Sequence, residues 1–232
     1  LRSNSKNSAI NIINRIASLG IIVGAMALFV VLSVFSGLKE FSLSFTNEID
    51  PDLKATPTLG KSFFVTPIQD QEIKKIAGIA SFSKIIEERV LFTFADKQEV
   101  TYLKGVDTQF TKVNAIEKKL YNGQWLQPNT YQVVVGYGMA QKFSMGLFDY
   151  NTALEVMVPR PGKGTITIPS EAFNQTDLIP IGIYSISEDL DSKYVFADLG
   201  LAQELLEYQP NQISGIEFKL RPNADEDAII EQ

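Results

Sequence analysis

Residues 16–38 read IASLGIIVGAMALFVVLSVFSGL, a run with no charge, set between Arg15 and Lys39. A helix rises about 1.5 Å per residue, so this run reaches roughly 35 Å, against about 30 Å for the hydrocarbon core of a bilayer. The stretch predicts a transmembrane helix. A secretory leader is the other reading of an apolar run near an N-terminus. Its apolar core is shorter, about 7–15 residues, and ends in a small-residue cleavage site. Here Lys39-Glu40-Phe41 follows, with no A-x-A pattern.

Charge gives the run a direction. Residues 1–15 hold Arg2, Lys6 and Arg15 and no acid, so every Asp and Glu lies beyond the span. The positive-inside bias puts the N-terminus in the cytoplasm and residues 39–232 outside. The net charge is -6. An acidic outer part argues against nucleic acid and against a polybasic lipid-binding face. The chain has no Cys and no His. That excludes Ser-His-Asp and Cys-His catalysis, and Cys/His zinc sites, within this chain. Without disulfides the outer part must rest on an ordinary core, and about 190 residues suffice for one. This composition suits a bacterial envelope compartment better than a disulfide-dense secreted scaffold. The chain starts without Met, and residues 1–15 look like the end of something longer.

Around the span, Ile10, Ile12, Ile13 and Ile16 alternate with Asn11, Asn14 and Arg15. This pattern fits a short interfacial helix or a polar lead-in to the span. Gly20 and Gly24 form G-x-x-x-G, extended by Ala27. Such spacing lets another helix approach closely, though it also arises by chance in apolar segments. Residues 27–35 are bulkier and suit a face toward lipid, partner helices or an apolar substrate, with Ala27, Val30, Val31 and Val34 as the candidates for the last. The helix is expected to run on through Phe41, Leu43 and Phe45 and to break at Asp50-Pro51.

Beyond it, strands are expected near 53–58 and 63–66. Thr66-Pro67 opens a helix reaching 76, and Gly78 ends it. Residues 82–94 and 99–106 read as a hairpin about the turn 95–98. A short helix follows at 110–113. Strand 131–135 leads through Gly136-Tyr137-Gly138 into helix 139–143, and strand 153–158 stops at Pro159. Residues 159–180 hold four prolines and predict a protruding loop or loose hairpin. Strands 181–186 and 194–197 flank an acidic turn at 187–192. Asp198 caps helix 199–208, strand 213–220 follows, and Asn223-Ala224-Asp225 caps a last helix. Strands and helices mix without strict βαβ order, so the fold class is α+β.

No constellation amounts to a chemical site. Gly162-Lys163-Gly164-Thr165 resembles the tail of a phosphate loop, but Met157 stands where its first Gly belongs, leaving a flexible turn. Glu87-Glu88 and Glu188-Asp189-Asp191 lack the calcium-loop pattern and read as solvated turns or strand faces. Trp125 fits core packing at a domain seam or a ligand platform. Gly136-x-Gly138 is too short for a dinucleotide fingerprint. No catalytic, cofactor-binding or metal residue is expected. Residues alone lead to a single membrane span carrying an envelope domain that works with partners.

Five stretches, in order, resemble one family, the lipoprotein-releasing ABC transporter permeases of the LolC/LolE type within the MacB/FtsX-like superfamily. They are the span with Lys39-Glu40-Phe41, Leu103-Lys104-Gly105-Val106-Asp107, VVVGYGM at 133–139, SKYVFADLGLAQELL at 192–206, and Ser214-Gly215-Ile216-Glu217. The resemblance implies a fragment of a four-span protein of the bacterial inner membrane. Residues 1–15 would be a cytoplasmic or interfacial segment, 16–38 the first span and 39–232 a periplasmic domain of mixed α/β type, with an inserted β-rich subdomain near 107–180. It implies a second permease subunit, identical or paralogous, and a cytoplasmic ABC ATPase dimer that binds ATP and Mg. It further implies a lipoprotein substrate taken from the membrane and a periplasmic lipoprotein carrier. In one branch a hairpin after a Val-Pro strand end hooks the carrier. Here Val158-Pro159 and the excursion to Pro180 occupy that place, which makes Pro159, Arg160, Lys163, Phe173 and Pro180 a candidate carrier-binding loop. The alternative is a mechanotransmission permease of the MacB or FtsX kind, serving efflux or activation of a cell-wall hydrolase.

Overall fold

The computed structural model describes residues 8–46, 50–146, 152–160 and 172–231, with side chains from residue 10 to 39 in the first of these segments. The chain divides into two compact units, residues 1–46 and 47–232.

The first unit is helix α1, Ser8–Thr46. Its stretch Ile10–Lys39 is long and apolar enough to cross a membrane, and none of it is buried within the protein. The helix starts before the interfacial motif 10–16, so the isoleucines there are its first turns. At about 100° per residue, Gly20, Gly24, Ala27, Val31 and Val34 fall on one face, and Val30 lies about 80° from its centre. The small residues and the valines expected to line a cavity therefore share a face and differ in height along the helix. A Cβ at Gly20 or Gly24 would meet nothing within 4 Å. Phe41, Leu43 and Phe45 lie in the helix, but their side chains are outside the described residues.

The second unit is built on one nine-stranded sheet. Its longest members are β3 (Ile79–Phe94), β4 (Lys97–Val106) and β8 (Phe173–Tyr184). The others are β1 (Leu53–Ala55), β5 (Leu120–Gly123), β6 (Gln132–Gly136), β7 (Leu154–Pro159), β9 (Tyr194–Asp198) and β11 (Gly215–Leu220). β3 and β4 form the predicted hairpin, in register from Ile85↔Val106 to Phe94↔Lys97. Ala95 takes φ +52° in its turn. β4 then pairs β9 in parallel, β9 pairs β6, and β6 pairs β8 in parallel. β7 pairs both β8 and the end of β3, which closes a circuit of six strands: β3-β4-β9-β6-β8-β7. Closure leaves these strands no free edge along the circuit. A small sheet joins β2 (Phe63–Phe64) to β10 (Gln212–Ile213).

Two clusters use alternate residues of the same strands, as the two-residue strand period requires. Val133, Val135, Val195, Ala197 and Ile86 face the larger cluster with Phe92, Leu154 and Leu178. Val134, Phe196 and Ile85 face the smaller one with Phe110, Ile116 and Tyr184. Trp125 is half-buried on that side, stacked on Phe110 at 6.2 Å and tilted against Phe196 at 5.6 Å, so it serves core packing.

The helices are short and start where capping residues allow. α2 (Pro67–Ile73) has Thr66 as its N-cap, with Gln69 completing a capping box and Pro at the first turn. α6 (Leu199–Leu205) and α7 (Glu226–Ile230) begin at Asp198 and Asp225, whose carboxylates accept from Gly200 and Ala228 N–H groups. α3 (Phe110–Val113) falls on the expected residues. α4 (Tyr137–Phe143) follows β6 directly, and α5 (Glu188–Asp191) replaces the expected acidic turn.

Residues 107–180 supply β5, β6, β7 and much of β8 to the common sheet. One expectation is corrected. The stretch 172–180 is not loop: β8 begins at Phe173 and pairs with β7 from Pro159↔Phe173 to Leu154↔Leu178. Pro180 is buried inside β8 opposite Val133, where the register shifts. A residue without N–H is tolerated in a strand at such an irregularity, so this proline marks a bulge and no exposed loop.

Candidate functional site

The excursion expected to meet a partner springs from the β7–β8 hairpin. Its last described rungs are Pro159↔Phe173 and a hydrogen bond in which Arg160 N–H donates to the Ala172 carbonyl at 2.9 Å. Residues 161–171, with Lys163, lie outside the described residues, as does the Gly162-Lys163-Gly164-Thr165 motif. Pro159, Arg160 and Phe173 are exposed and brought together at the base of this segment. Pro180 is not with them.

The base is bolted to α6. Arg160 Nε donates to Asn174 Oδ1 at 2.6 Å. Asn174 Nδ2 donates to the Leu205 carbonyl at 2.9 Å and to Glu207 Oε1 at 3.1 Å. Arg160 also lies 3.6 Å from Glu207. Leu205 ends α6, and its carbonyl is one of those a helix C-terminus leaves without an intrahelical partner. Asn174 fills that need while holding Arg160. Glu207 sits at φ +55°, the left-handed turn that follows the helix. None of these links was visible in the sequence, since Asn174 and Glu207 lie far apart along the chain and carry no motif.

Arg160 and Phe173 border two grooves. One, of about 750 Å³, is also lined by Tyr131, Met157, Thr176 and Glu204. Tyr131 donates its hydroxyl to Glu204 there, and that carboxylate raises the phenol's pKa. The other, of about 720 Å³, is lined by Leu91, Val100, Pro159 and Tyr208, among others. Lys61 pairs with Glu88 at 2.7 Å beside it, and this contact raises the lysine's pKa. Both grooves mix apolar surface with fixed charges, which suits a protein surface better than a small molecule.

The acidic pairs of the sequence are engaged in structure. Glu87 holds Lys54 at 2.7 Å and accepts from the Tyr194 hydroxyl at 3.1 Å. Burial alone would raise its pKa, but Lys54, Lys104 and Tyr194 together hold it below the usual carboxylate value. Asp191 is buried and accepts from the Ile186 N–H and the Ser185 hydroxyl. Burial raises its pKa despite those bonds. Among the described residues no group of Asp and Glu could hold a metal ion.

Three of the stretches singled out in the sequence meet at one buried point. Lys104 of β4 donates to Glu217 of β11 at 2.6 Å, with side chains only 8% and 1% exposed. The same ammonium lies 5.2 Å from the ring centre of Tyr194 on β9 and 5.3 Å from that of Phe110. Glu217 Oε2 has no hydrogen-bond partner among the described residues. The glycines of two stretches are close approaches. A Cβ at Gly105 would collide with Ala202 of α6, and one at Gly136 with the Asp191 backbone. The motifs thus carry packing rather than chemistry.

Residues 16–232, which take in both the apolar helix and the sheet, match the family model of the MacB-like periplasmic core domain, and the chain belongs to that family. It is 28% identical, over 240 residues, to the lipoprotein-releasing system transmembrane protein LolE of Haemophilus influenzae. That alignment covers 94% of this chain and 52% of LolE, so the chain spans about half the length of the curated relative it matches. Among solved structures it is similar to the periplasmic region of MacB from Actinobacillus actinomycetemcomitans, at 16% identity, 73% and 71% coverage and a TM-score of 0.47. It is also similar to the extracellular domain of the noncanonic ABC-type transporter YknZ from Gram-positive bacteria, at 13% identity, 75% and 79% coverage and a TM-score of 0.47.

Proposed function

We propose that this chain is the first span and periplasmic domain of a permease subunit of an inner-membrane ABC transporter, and that the transporter releases lipoproteins. The observation that carries the reading is the likeness to LolE, which runs through 94% of the chain. The N-terminus is cytoplasmic and the sheet periplasmic, on the charge asymmetry of residues 1–15. The subunit itself is no enzyme. A cytoplasmic ABC ATPase dimer binds ATP and Mg and supplies the energy, and a second permease subunit, identical or paralogous, completes the membrane part.

The physical need for such a machine is plain. Acyl chains favour the bilayer by about 0.8 kcal/mol per buried CH₂. Extraction therefore requires an apolar enclosure and an external energy source. In this reading the α1 face with Ala27, Val31 and Val34, flanked by Val30, lines the enclosure, and Gly20 and Gly24 pack against a neighbouring helix. The hairpin base with Pro159, Arg160 and Phe173, together with the segment holding Lys163, meets a periplasmic lipoprotein carrier. The Arg160–Asn174–Glu207 network supports this role, because it fixes the base of the segment to α6.

The MacB-like family match favours a second reading equally: a mechanotransmission permease whose movement drives an efflux duct or a cell-wall hydrolase, with no lipid entering. Purification of the assembled complex and identification of what accompanies it separates the two. Acylated protein supports lipoprotein release; a duct or hydrolase overturns it. Photocrosslinkers at Arg160, Lys163 and Phe173 test the carrier contact, and a complex that yields no carrier adduct at any of the three removes it.

A further inference from the structure

We propose that a groove on the sheet unit, away from the hairpin base, binds an acidic peptide segment in extended form. The groove has a volume of about 780 Å³ and lies among α2, the start of β3, α3 and the turn after β11. Its charged side chains are Lys74, Lys84, Lys112 and Arg221 against Asp70 and Asp107. This is a local excess of positive charge on a chain whose net charge is -6.

The two acids are already engaged. Asp70 Oδ2 accepts from Lys84 Nζ at 2.6 Å. Asp107 accepts from the Ser83 hydroxyl and from the Lys84 and Gln109 N–H groups. Three exposed cations remain without a carboxylate among the described residues. Lys112 reaches only the amide oxygen of Gln109, at 2.9 Å. Lys74 and Arg221 have no ion-pair partner among the described residues. A planar guanidinium with a free edge suits a carboxylate in two-point contact.

The lining selects the ligand class. Two exposed cations without a carboxylate among the described residues, Lys112 and Arg221, share the groove with the ring of Phe82. A peptide with Glu or Asp side chains offers a carboxylate to each cation and apolar surface to the ring, whereas inorganic phosphate offers charge alone.

The test uses the full chain in nanodiscs of zwitterionic phosphatidylcholine. The probe is a fluorescein-labelled, end-blocked peptide of alternating Glu and Ala, followed by anisotropy at low salt. Replacing Lys112→Ala or Arg221→Ala should each weaken binding about tenfold, as loss of one charge-assisted hydrogen bond does. The double reversal Lys112→Glu, Arg221→Glu should abolish it. Lys118→Glu, at an exposed lysine outside the groove, should leave it unchanged. Trp125 fluorescence reports whether each variant is folded. Equal binding by the wild type and the double reversal overturns the proposal, and so does an absence of peptide binding. Displacement by inorganic phosphate at concentrations equal to the peptide's also overturns it, and assigns the groove to phosphate. None of these outcomes bears on lipoprotein release.

Discussion

Helix α1 and the closed sheet place their apolar side chains in opposite ways. Between Ile10 and Leu38 the large apolar residues are all exposed, Phe29 and Ile21 at 73%. In the sheet unit Phe92, Leu154 and Val133 are wholly buried. Exposed apolar surface on that scale is stable only in an apolar solvent. The helix therefore takes its hydrophobic stabilisation from a membrane, and the sheet takes its own from itself. Substitution should follow the same division. In the helix a residue needs only to be apolar, unless another helix lies against it. In the sheet it needs the right shape, because a close-packed interior registers each lost methylene.

The largest effect tests that contrast directly. Phe92→Ala empties a fully buried site and should cost about 4 kcal/mol, whereas Val30→Ala should leave the sheet unit unchanged. Trp125 is the only tryptophan and packs on Phe110 and Phe196, so its fluorescence follows unfolding of this unit alone. A domain of this size loses about 2–4 °C per kcal/mol, so Phe92→Ala should melt roughly 10 °C lower. Equal melting of the two variants breaks the comparison. Val30→Asp has a different readout. A charge within a span costs about 3 kcal/mol to insert, and in a transporter that works as proposed, release should stop while the ATPase stays bound. Normal release by this variant counts against a cavity role for Val30.

The next effect concerns the buried ion pair of the sheet interior. Lys104→Met strands Glu217 as a buried carboxylate without a counter-ion and should cost about 3 kcal/mol. Adding Glu217→Leu removes the stranded charge and should recover most of the loss. A double variant as unstable as the single would show that the two aromatic rings around Lys104 matter more than its charge.

A smaller effect appears as a slope with pH. Glu87 has a lowered pKa in the folded unit, so between that value and the ordinary one near 4.5 the unfolded chain binds more protons. Its contribution is complete above the ordinary value and is lost as the pH falls through the folded one. Asp191 has a raised pKa, so there the folded chain holds the extra proton, and stability falls as pH rises from the ordinary value towards the raised one. Trp125 melting from about pH 3 to 7 checks both signs. Glu87→Gln should flatten the acid limb. Asp191→Asn should remove the opposite slope, with its amide oxygen still accepting from Ile186 and the Ser185 hydroxyl turning to accept. A steeper acid limb in Glu87→Gln would reverse the first assignment.

Local rules made some of this legible in the sequence. The uncharged run gave α1, and Thr66, Asp198 and Asp225 marked helix starts because a cap acts within three residues. The β3–β4 hairpin was readable because alternation and its turn lie side by side. Non-local pairing was not. That β7 joins the end of β3 to β8 depends on strands about 60 and 20 residues apart, and no pattern within either strand states its partner. Pro180 misled for the same reason: its missing N–H signals a loop, unless a register shift elsewhere makes that N–H unnecessary. Lys104 and Glu217 lie in separate motifs, and only the sheet order brings them together. The hairpin base was located by Val158-Pro159, but its attachment through Asn174 was hidden.

The smallest expected change in stability is the most telling for the helix. Gly20, Gly24, Ala27 and Val31 follow the three- and four-residue spacing of a packing seam, and among the described residues nothing lies within 4 Å of a Cβ at either glycine. Gly24→Leu should leave the Trp125 melting curve where it is, because Gly24 belongs to the other unit. Any cost must come from a helix outside the described residues. Residues 1–232 hold no cysteine, so a single introduced thiol is unique among them. Cysteines placed in turn from position 20 to 34 of the assembled complex should crosslink strongly at 20 and 24, fade at 27 and 31, where the face is left open for an acyl chain, and stay weak at Phe29, on the opposite face. Uniform weak crosslinking would mean that this face meets lipid and that the glycine spacing is incidental. A signal that stays strong through 27 and 31 would make the whole face a packing seam and count against a cavity there.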